Sequence, residues 1–513
     1  MNLLLVAPIL IPLVAAVLSM LLRTSQRAQQ SIAVIGGMGM LTSAISLLDA
    51  AADGSIQVLR LGDWPAPFGI VLVVDLFSAL MLLLTAVIGL AVIVYSLAAI
   101  DLPRRRFGYF PLVHVLLMGV SGAFLTGDLF NLFVWFEVML IASFVLLVLG
   151  GEQKQLQGAV KYVTLNLLAS AMFLIGTGLL YGKTGTLNLA SLAMLSGTDA
   201  ENAALNVSAV LFLASFGIKA AVFPFFFWLP DSYHVPPVPV TALFSGLLTK
   251  VGIYALMRTF SMVFVHDTDF TRPLFVVLAA MTMITGVIGA VAQGEMRRLL
   301  SFHIVSQIGY ALIGLAVFTP LALSGAIYFT LHVAIAKTAL FLVAGYVLAV
   351  RGDTTLKNIG GLLRSAPLLT ALFLLAAISL AGLPPFSGFF AKFALVKAGL
   401  DAGEFLLAAV ALAVGVLTLF SMMKIWNEVF WKDDPNAPAG DASEASASSA
   451  AAARITPLTS SARLLYILPL ACLVLLTVIM GIAAQGVFEW TDAAARQLLE
   501  PEQYIRAVLG GPQ

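Results

Sequence analysis

The chain reads as an all-α polytopic membrane protein of about fourteen transmembrane helices, with two inverted five-helix repeats that each contain a broken helix. Three observations predict this. Of 513 residues, 61% are hydrophobic and only 10% charged, far from the balance of soluble domains. The apolar residues fall in runs of about 20, the length that crosses a bilayer. Two of those runs are interrupted by Pro and Gly clusters, each with a lysine close by.

Spans are expected near 2–22, 31–51, 71–98, 108–126, 129–150, 161–181, 205–229, 239–264, 273–293, 301–318, 322–350, 366–400, 404–430 and 462–486. The first run lacks a basic leader and carries its positive charge behind it, at Arg23 and Arg27, so it reads as a retained helix rather than a signal peptide. Basic residues cluster after odd-numbered spans: Arg104, Arg105 and Arg106; Lys154; Arg297 and Arg298; Arg351, Lys357 and Arg364; Lys432, Arg454 and Arg463. Loops after even-numbered spans carry fewer, chiefly Arg60, Lys183, Arg258 and Arg272. The positive-inside rule then puts both termini on the outer side of a bacterial plasma membrane.

The organisation that follows is three N-terminal helices (1–107), a first unit of helices 4–8 (108–264), a second of helices 9–13 (265–432), a loop (433–461), and helix 14 with a tail (462–513). An odd number of helices per unit inverts the second unit relative to the first. The stretch from Asp433 to Ala453 is rich in Ala and Ser and too poor in apolar bulk to pack, so it is expected to be a disordered cytoplasmic loop. The tail from Val487 to Gly510 alternates apolar and charged residues and is expected to be an interfacial or partner-facing helix broken at Pro501. Cys472, the single cysteine, lies in an apolar run and reads as a small core filler.

Ionisable residues inside these spans are the strongest functional signal. A charge at a helix centre costs roughly 2.5–3.5 kcal/mol even on mild scales, so such residues usually line an ion or proton path. Lys219 precedes Pro224 in the first broken span, and Lys392 follows Gly382, Pro384, Pro385 and Gly388 in the second. Paired breaks in corresponding parts of two halves point to inverted-repeat transporters. Lys250 follows the proline cluster by half a helix, with apolar sequence continuing to Met257. Glu137 lies mid-span with no cation in its own helix, and Lys219 is its candidate partner. Pairing favours the charged amine and desolvation the neutral one, so making and breaking the pair would switch its protonation.

His332 and Lys337 share one span but lie about 140° apart on an ideal helix, so one face holds both only if a bulge changes the register. A histidine suits proton relay near neutral pH. His303 is a weaker candidate, with a position at the membrane surface as the alternative. Lys424 and Glu428, four apart, are expected to pair and form a candidate exit. Asp75, Asp128 and Asp231 read as interfacial or capping acids. There is no Walker loop or dinucleotide fingerprint, one cysteine leaves no iron-sulfur framework, and a net charge of +1 gives no hint of nucleic acid. No metal, cofactor or catalytic residue is expected, and the class is secondary transport rather than an enzyme.

At these residues the chain resembles a known family, the antiporter-like subunits shared by Mrp-type multisubunit cation/proton antiporters and the membrane arm of respiratory complex I. The resemblance lies in Asp128 to Glu137, Phe223 to Asp231, Ser245 to Gly252, Arg298 to Ser301 with Ser306 to Tyr310, and Leu383 to Lys392. It implies that Glu137 and Lys219 form a modulating pair, that Lys250 is the central proton carrier, that His332 and Lys337 relay, and that Lys392 opens toward the cytoplasm. Lysine at 392 and the lack of a long C-terminal extension look most like the D-type Mrp subunits. Phe227 stands where relatives often have His, so no relay role is carried over there.

The resemblance also implies partners, the other subunits of a hetero-oligomeric Na+/H+ antiporter, with lipid around them. Two alternatives stay open: a proton-pumping subunit of an NADH:quinone oxidoreductase-like complex, and a scaffold that transports nothing.

Overall fold

The computed structural model describes residues 2–195, 203–265, 268–435 and 458–510. In chain order the helices are α1 (Asn2–Leu21) and α2 (Gln26–Ala51), then a hairpin of β1 (Gln57–Arg60) and β2 (Val71–Val74), then α3 (Leu76–Ala99) and a short α4 (Leu102–Arg106). Next come α5 (Tyr109–Leu125), α6 (Leu129–Leu147), α7 (Gln153–Thr184), short α8 (Leu189–Leu195), α9 (Ala203–Ala220) and α10 (Trp228–Tyr233). α11 (Val238–Leu243) runs through a π-helical turn, Phe244–Leu248, into α12 (Thr249–Met262). Then follow α13 (Thr268–Val291), α14 (Met296–Val317), α15 (Pro320–Arg351), short α16 (Leu362–Ser365), α17 (Pro367–Ala381) and α18 (Ser387–Asp401). α19 (Phe405–Ile425) ends in a second π-helical turn, Trp426–Trp431, and α20 (Ser460–Ile482), α21 (Ala484–Leu499) and α22 (Glu502–Leu509) are the last helices among the described residues.

Twelve helical segments among the described residues are long and apolar enough to cross a membrane. The expected spans 108–126 and 366–400 fall instead on shorter helices, the apolar α5 and the pair of apolar α17 and more polar α18. Span 71–98 was expected as one helix, but its first residues form β2, antiparallel to β1 with Gln57 opposite Val74 and Arg60 opposite Val71. Four consecutive β-branched or apolar residues, Val71 to Val74, favour the strand.

The helices differ in how much of their circumference they bury. The α11–α12 segment, α14 and α15 are buried almost all round, whereas α7, α13 and α19 bury one stripe and leave the rest outward, as expected for inner and outer helices of a membrane bundle. Lys250, His303, His332 and Lys337 all stand on the inner helices.

Helix ends follow local chemistry. Asp75, Asp128 and Glu295 accept hydrogen bonds from the first-turn N–H groups of α3, α6 and α14. The 32-residue helices α7 and α15 each stop at a glycine in the left-handed region, Gly185 and Gly352. The landmarks recur at a fixed interval. An isolated bridge joins Asp128 to Asn188, and another joins Glu295 to Thr355. From Asp128 to Glu295, Gln153 to Pro320, Gly185 to Gly352 and Asn188 to Thr355, each second landmark stands 167 residues after the first.

The tail breaks at Pro501, as expected, but packs on the chain's own hairpin and inner helices. Thr491 bonds Ser324 at 2.9 Å, Gln497 accepts from the Leu76 N–H and donates to the Gly54 carbonyl, and the Val508 carbonyl accepts from Arg60. Cys472 is exposed, which corrects the core-filler reading. It lies between the positions of the buried stripe of α20, Tyr466, Pro469, Leu470, Leu473 and Val474. The loop expected at 433–461 lies mostly outside the described residues. At its near end Asp434 pairs with Arg351 at 2.7 Å.

Candidate functional site

The first break follows α9. Ala221, in the left-handed region at φ 61°, closes that helix, and a 3-10 turn, Phe225–Phe227, leads into α10. Breaking a helix frees backbone carbonyls that must find other donors. Here the Trp228 indole N–H takes the Ile218 carbonyl at 3.1 Å, and the Phe223 N–H reaches the Thr282 hydroxyl at 3.0 Å. Lys219 therefore serves no backbone carbonyl. Its Nζ donates to Ser170 Oγ at 3.3 Å and lies 4.9 Å from the centre of the Phe136 ring.

Glu137 and Lys219 do not form the direct pair expected of them, for no ion pair within 4.0 Å joins them. Ser170 of α7 stands between, giving its hydroxyl proton to Glu137 Oε1 at 2.5 Å while accepting from Lys219. Glu137 is half-buried, on the same face of α6 as the exposed Phe130, Val134, Ile141 and Val145.

Lys250 is buried just past the first π-helical turn. Its Nζ donates to the Ser245 carbonyl at 2.6 Å and to the Thr249 hydroxyl at 3.4 Å. A π turn displaces a carbonyl from the regular ladder, and Lys250 takes it. Lys337, wholly buried, reaches from α15 to the Leu300 carbonyl of α14 at 2.9 Å. His332 faces another neighbour, with Nδ1 2.8 Å from Ser387 Oγ at the start of α18 and Nε2 without a hydrogen-bond partner among the described residues. α15 is regular between them, so the bulge that would align them is absent, and the π turn lies instead before Lys250.

The second break divides α17 from α18, with Gly382 in the left-handed region at φ 91°. Lys392 folds back across it, donating to the Leu380 carbonyl at 2.9 Å and the Ala381 carbonyl at 3.1 Å. Its Nζ lies 4.6 Å from the centre of the Tyr310 ring. It lines a cavity of about 250 Å3 bounded also by Tyr310, Phe389, Leu412 and Gly415. A Cβ at Gly382 would come within 2.8 Å of Lys392 Cδ, and one at Gly388 within 1.9 Å of the Ser379 carbonyl and 2.7 Å of His332 Nε2.

His303 is wholly buried, bridging α14 to α19 with Nε2 2.5 Å from Ser421 Oγ. The Lys424–Glu428 pair does not form. Lys424 instead caps α13, donating to the Val291 and Gln293 carbonyls, and Glu428 pairs with Lys432 at 2.5 Å. The second π-helical turn, Trp426–Trp431, holds Glu428 and leads directly to its partner Lys432. Phe227 is exposed on the 3-10 turn.

Sequence reasoning missed two features. Arg258, read as a loop residue, is buried in α12 and holds Asp75 through two contacts, 2.5 and 2.9 Å, with the faces of Phe77, Tyr254 and Tyr504 around it. The apolar run on both sides of Arg258 carried that signal. Ser170 carried none, since a hydroxyl in mid-helix is commonplace. Among the described residues, Lys219, Lys250, Lys337 and Lys392 make no ion pair within 4.0 Å, whereas Arg258 has its carboxylate.

The whole chain is similar to known proteins. It is 46% identical over 509 residues to the D-type subunit of the Na(+)/H(+) antiporter of Alkalihalophilus pseudofirmus, covering 99% of this chain and 100% of that one. Against the D-type subunit of the Na(+)/H(+) antiporter of Bacillus subtilis it is 42% identical over 516 residues, with the same coverage. Its structure resembles a chain of the Mrp complex from Dietzia sp. DQ12-45-1b, with TM-score 0.90 and 36% identity over 99% of each. Residues 126–428, which contain every buried lysine described above, match the family described as NADH:quinone oxidoreductase/Mrp antiporter, TM, and to that family the chain belongs.

Proposed function

We propose that this chain is the proton-translocating subunit of a multisubunit monovalent cation/proton antiporter, of the D type named in its Na(+)/H(+) antiporter relatives. One observation carries the reading: four lysines are buried in the bundle, and none has a carboxylate counter-charge within 4.0 Å among the described residues. A buried ammonium without a counter-ion is strongly disfavoured, and such groups occur where protons are handled. The proposed route runs from Glu137 and Lys219 through Lys250 to Lys337, and on to Lys392, with His303 and His332 beside the last two. Hydroxyls and backbone carbonyls hold each lysine, which lets an amine gain or lose a proton without tearing an ion pair.

The two units are inverted repeats, 108–264 and 265–432. The 167-residue recurrence of acid cap, bridge, long helix and closing glycine supports this. Clustering of basic residues after odd-numbered spans supports cytoplasmic placement of those loops, with both termini outside. Lys392 would then exchange protons with the cytoplasm. The cation is exchanged by the assembly, and this subunit supplies the proton path.

The test is exchange by vesicles carrying the whole complex. Lys219→Ala and Glu137→Ala are expected to abolish antiport with assembly intact, and normal exchange in both would overturn the pair's role. A second reading, a pump subunit in a quinone-linked redox complex, draws on the family description, which spans both assemblies. Subunit masses of the purified native complex separate the two.

A further inference from the structure

We propose that Ser170 is itself a transport residue, the relay through which Lys219 and Glu137 exchange a proton. The inference rests on the proton route above and names an atom within it. Hydroxyls inside a helix normally give their proton to the carbonyl four residues back. In this chain Thr85, Ser96, Thr177, Ser301, Thr338 and Thr418 do so, with acceptors at Met81, Val92, Phe173, Arg297, Ala334 and Val414. Ser170 does not. Its proton goes to Glu137, and its lone pair receives Lys219.

The neighbouring contacts keep it there. Ser215 Oγ donates to the Ala169 carbonyl at 2.7 Å, which ties α9, the helix of Lys219, to α7 beside Ser170. Phe136 covers the ammonium from α6. The interval between landmarks adds an independent observation. The position 167 residues after Ser170 is Lys337, one of the buried lysines, so in the first unit a hydroxyl occupies the place that an amine holds in the second.

The transfer balances within the three groups. An N–H bond of the Lys219 ammonium breaks as that proton bonds Ser170 Oγ, and the Ser170 O–H bond breaks as Glu137 Oε1 takes its proton. The result is a neutral amine, an unchanged serine and a neutral carboxylic acid, and the reverse step restores the charges. Because Glu137 is half-buried on the outward face of α6, the relay carries a proton from the bundle interior to its edge.

The experiment is cation-driven proton exchange across a pH series, with infrared difference spectra of the purified whole complex. The Glu137 carboxylic-acid band is assigned by its loss in Glu137→Gln. Ser170→Ala is expected to lower exchange at least tenfold with assembly intact and to displace the pH at which that band appears. Ser170→Thr, which keeps the hydroxyl, is expected to restore both. If Ser170→Ala fails to assemble, Ser170→Cys is compared with Ser170→Thr, and a cysteine variant at least tenfold slower supports the relay. Wild-type exchange and an unmoved band in Ser170→Ala, or equal exchange by the cysteine and threonine variants, would overturn it. Those results beside inactive Lys219→Ala would leave the broader route standing, whereas active Lys219→Ala and Glu137→Ala variants would remove the route.

Discussion

The two broken helices solve one problem in different ways. At the first, the Ile218 carbonyl accepts from the Ala221 N–H and the Trp228 indole, which leaves Lys219 to a serine and, through it, a glutamate. At the second, Lys392 takes the freed Leu380 and Ala381 carbonyls itself. The first lysine is therefore coupled to a side chain that changes charge, while the second is coupled to the backbone of the break. A break in a membrane helix need not be an ion site, and what occupies its carbonyls decides which group is free to exchange protons.

Substitutions can break this comparison, and the largest effect is expected at Gly388. A methyl there would meet the Ser379 carbonyl at 1.9 Å, a backbone atom that cannot swing aside. Gly388→Ala should destabilise the second break by about 3 kcal/mol, the upper end for overpacking, seen as a lower Tm of the purified complex. Next is Lys392→Met, which leaves two carbonyls unmet at about 1–3 kcal/mol for a buried unsatisfied group, so exchange and Tm should fall together. Lys219→Met removes no backbone bond and should stop exchange while stability changes by less than about 1 kcal/mol. Equal Tm losses in the two methionine variants would dissolve the distinction.

Smaller effects sharpen it. Trp228→Phe removes the indole and leaves the Ile218 carbonyl with the Ala221 N–H alone, which should cost about 1 kcal/mol for one lost hydrogen bond, with exchange reduced but present. Ala221→Gly should stabilise the complex by about 1 kcal/mol, since a left-handed conformation costs an L-residue roughly 1–2 kcal/mol and glycine almost nothing. Gly382 already holds the matching place at the second break. A fall in Tm for Ala221→Gly would mean that contacts of the Ala221 methyl outweigh its backbone strain.

Much of this was legible in the sequence because the bilayer makes long apolar runs and internal lysines conspicuous. Both breaks, all four lysines and the caps Asp75 and Asp128 could be read from local pattern alone. What escaped depends on partners distant in sequence. Asp75 looked like a simple cap because Arg258, which neutralises it, lies 183 residues away. Ser170 looked like any helical hydroxyl until α6 and α9 came to either side of it. Lys424 and Glu428 misled because each has another partner, the carbonyls at the end of α13 for Lys424 and Lys432 for Glu428. The tail's amphipathic pattern indicated that one face is covered, but not that the chain's own helices, with the hairpin, cover it.

The central claim, that protons cross through buried amines of this subunit, is tested most directly by replacing Lys219, Lys250, Lys337 and Lys392 together with alanine. Proton flux driven by a cation gradient is then followed in liposomes holding the whole complex, with assembly checked by subunit mass. The account predicts that flux falls to the level of empty liposomes while every component of the complex is still present. Undiminished flux through the fully assembled variant would contradict it and reduce this chain to a scaffold.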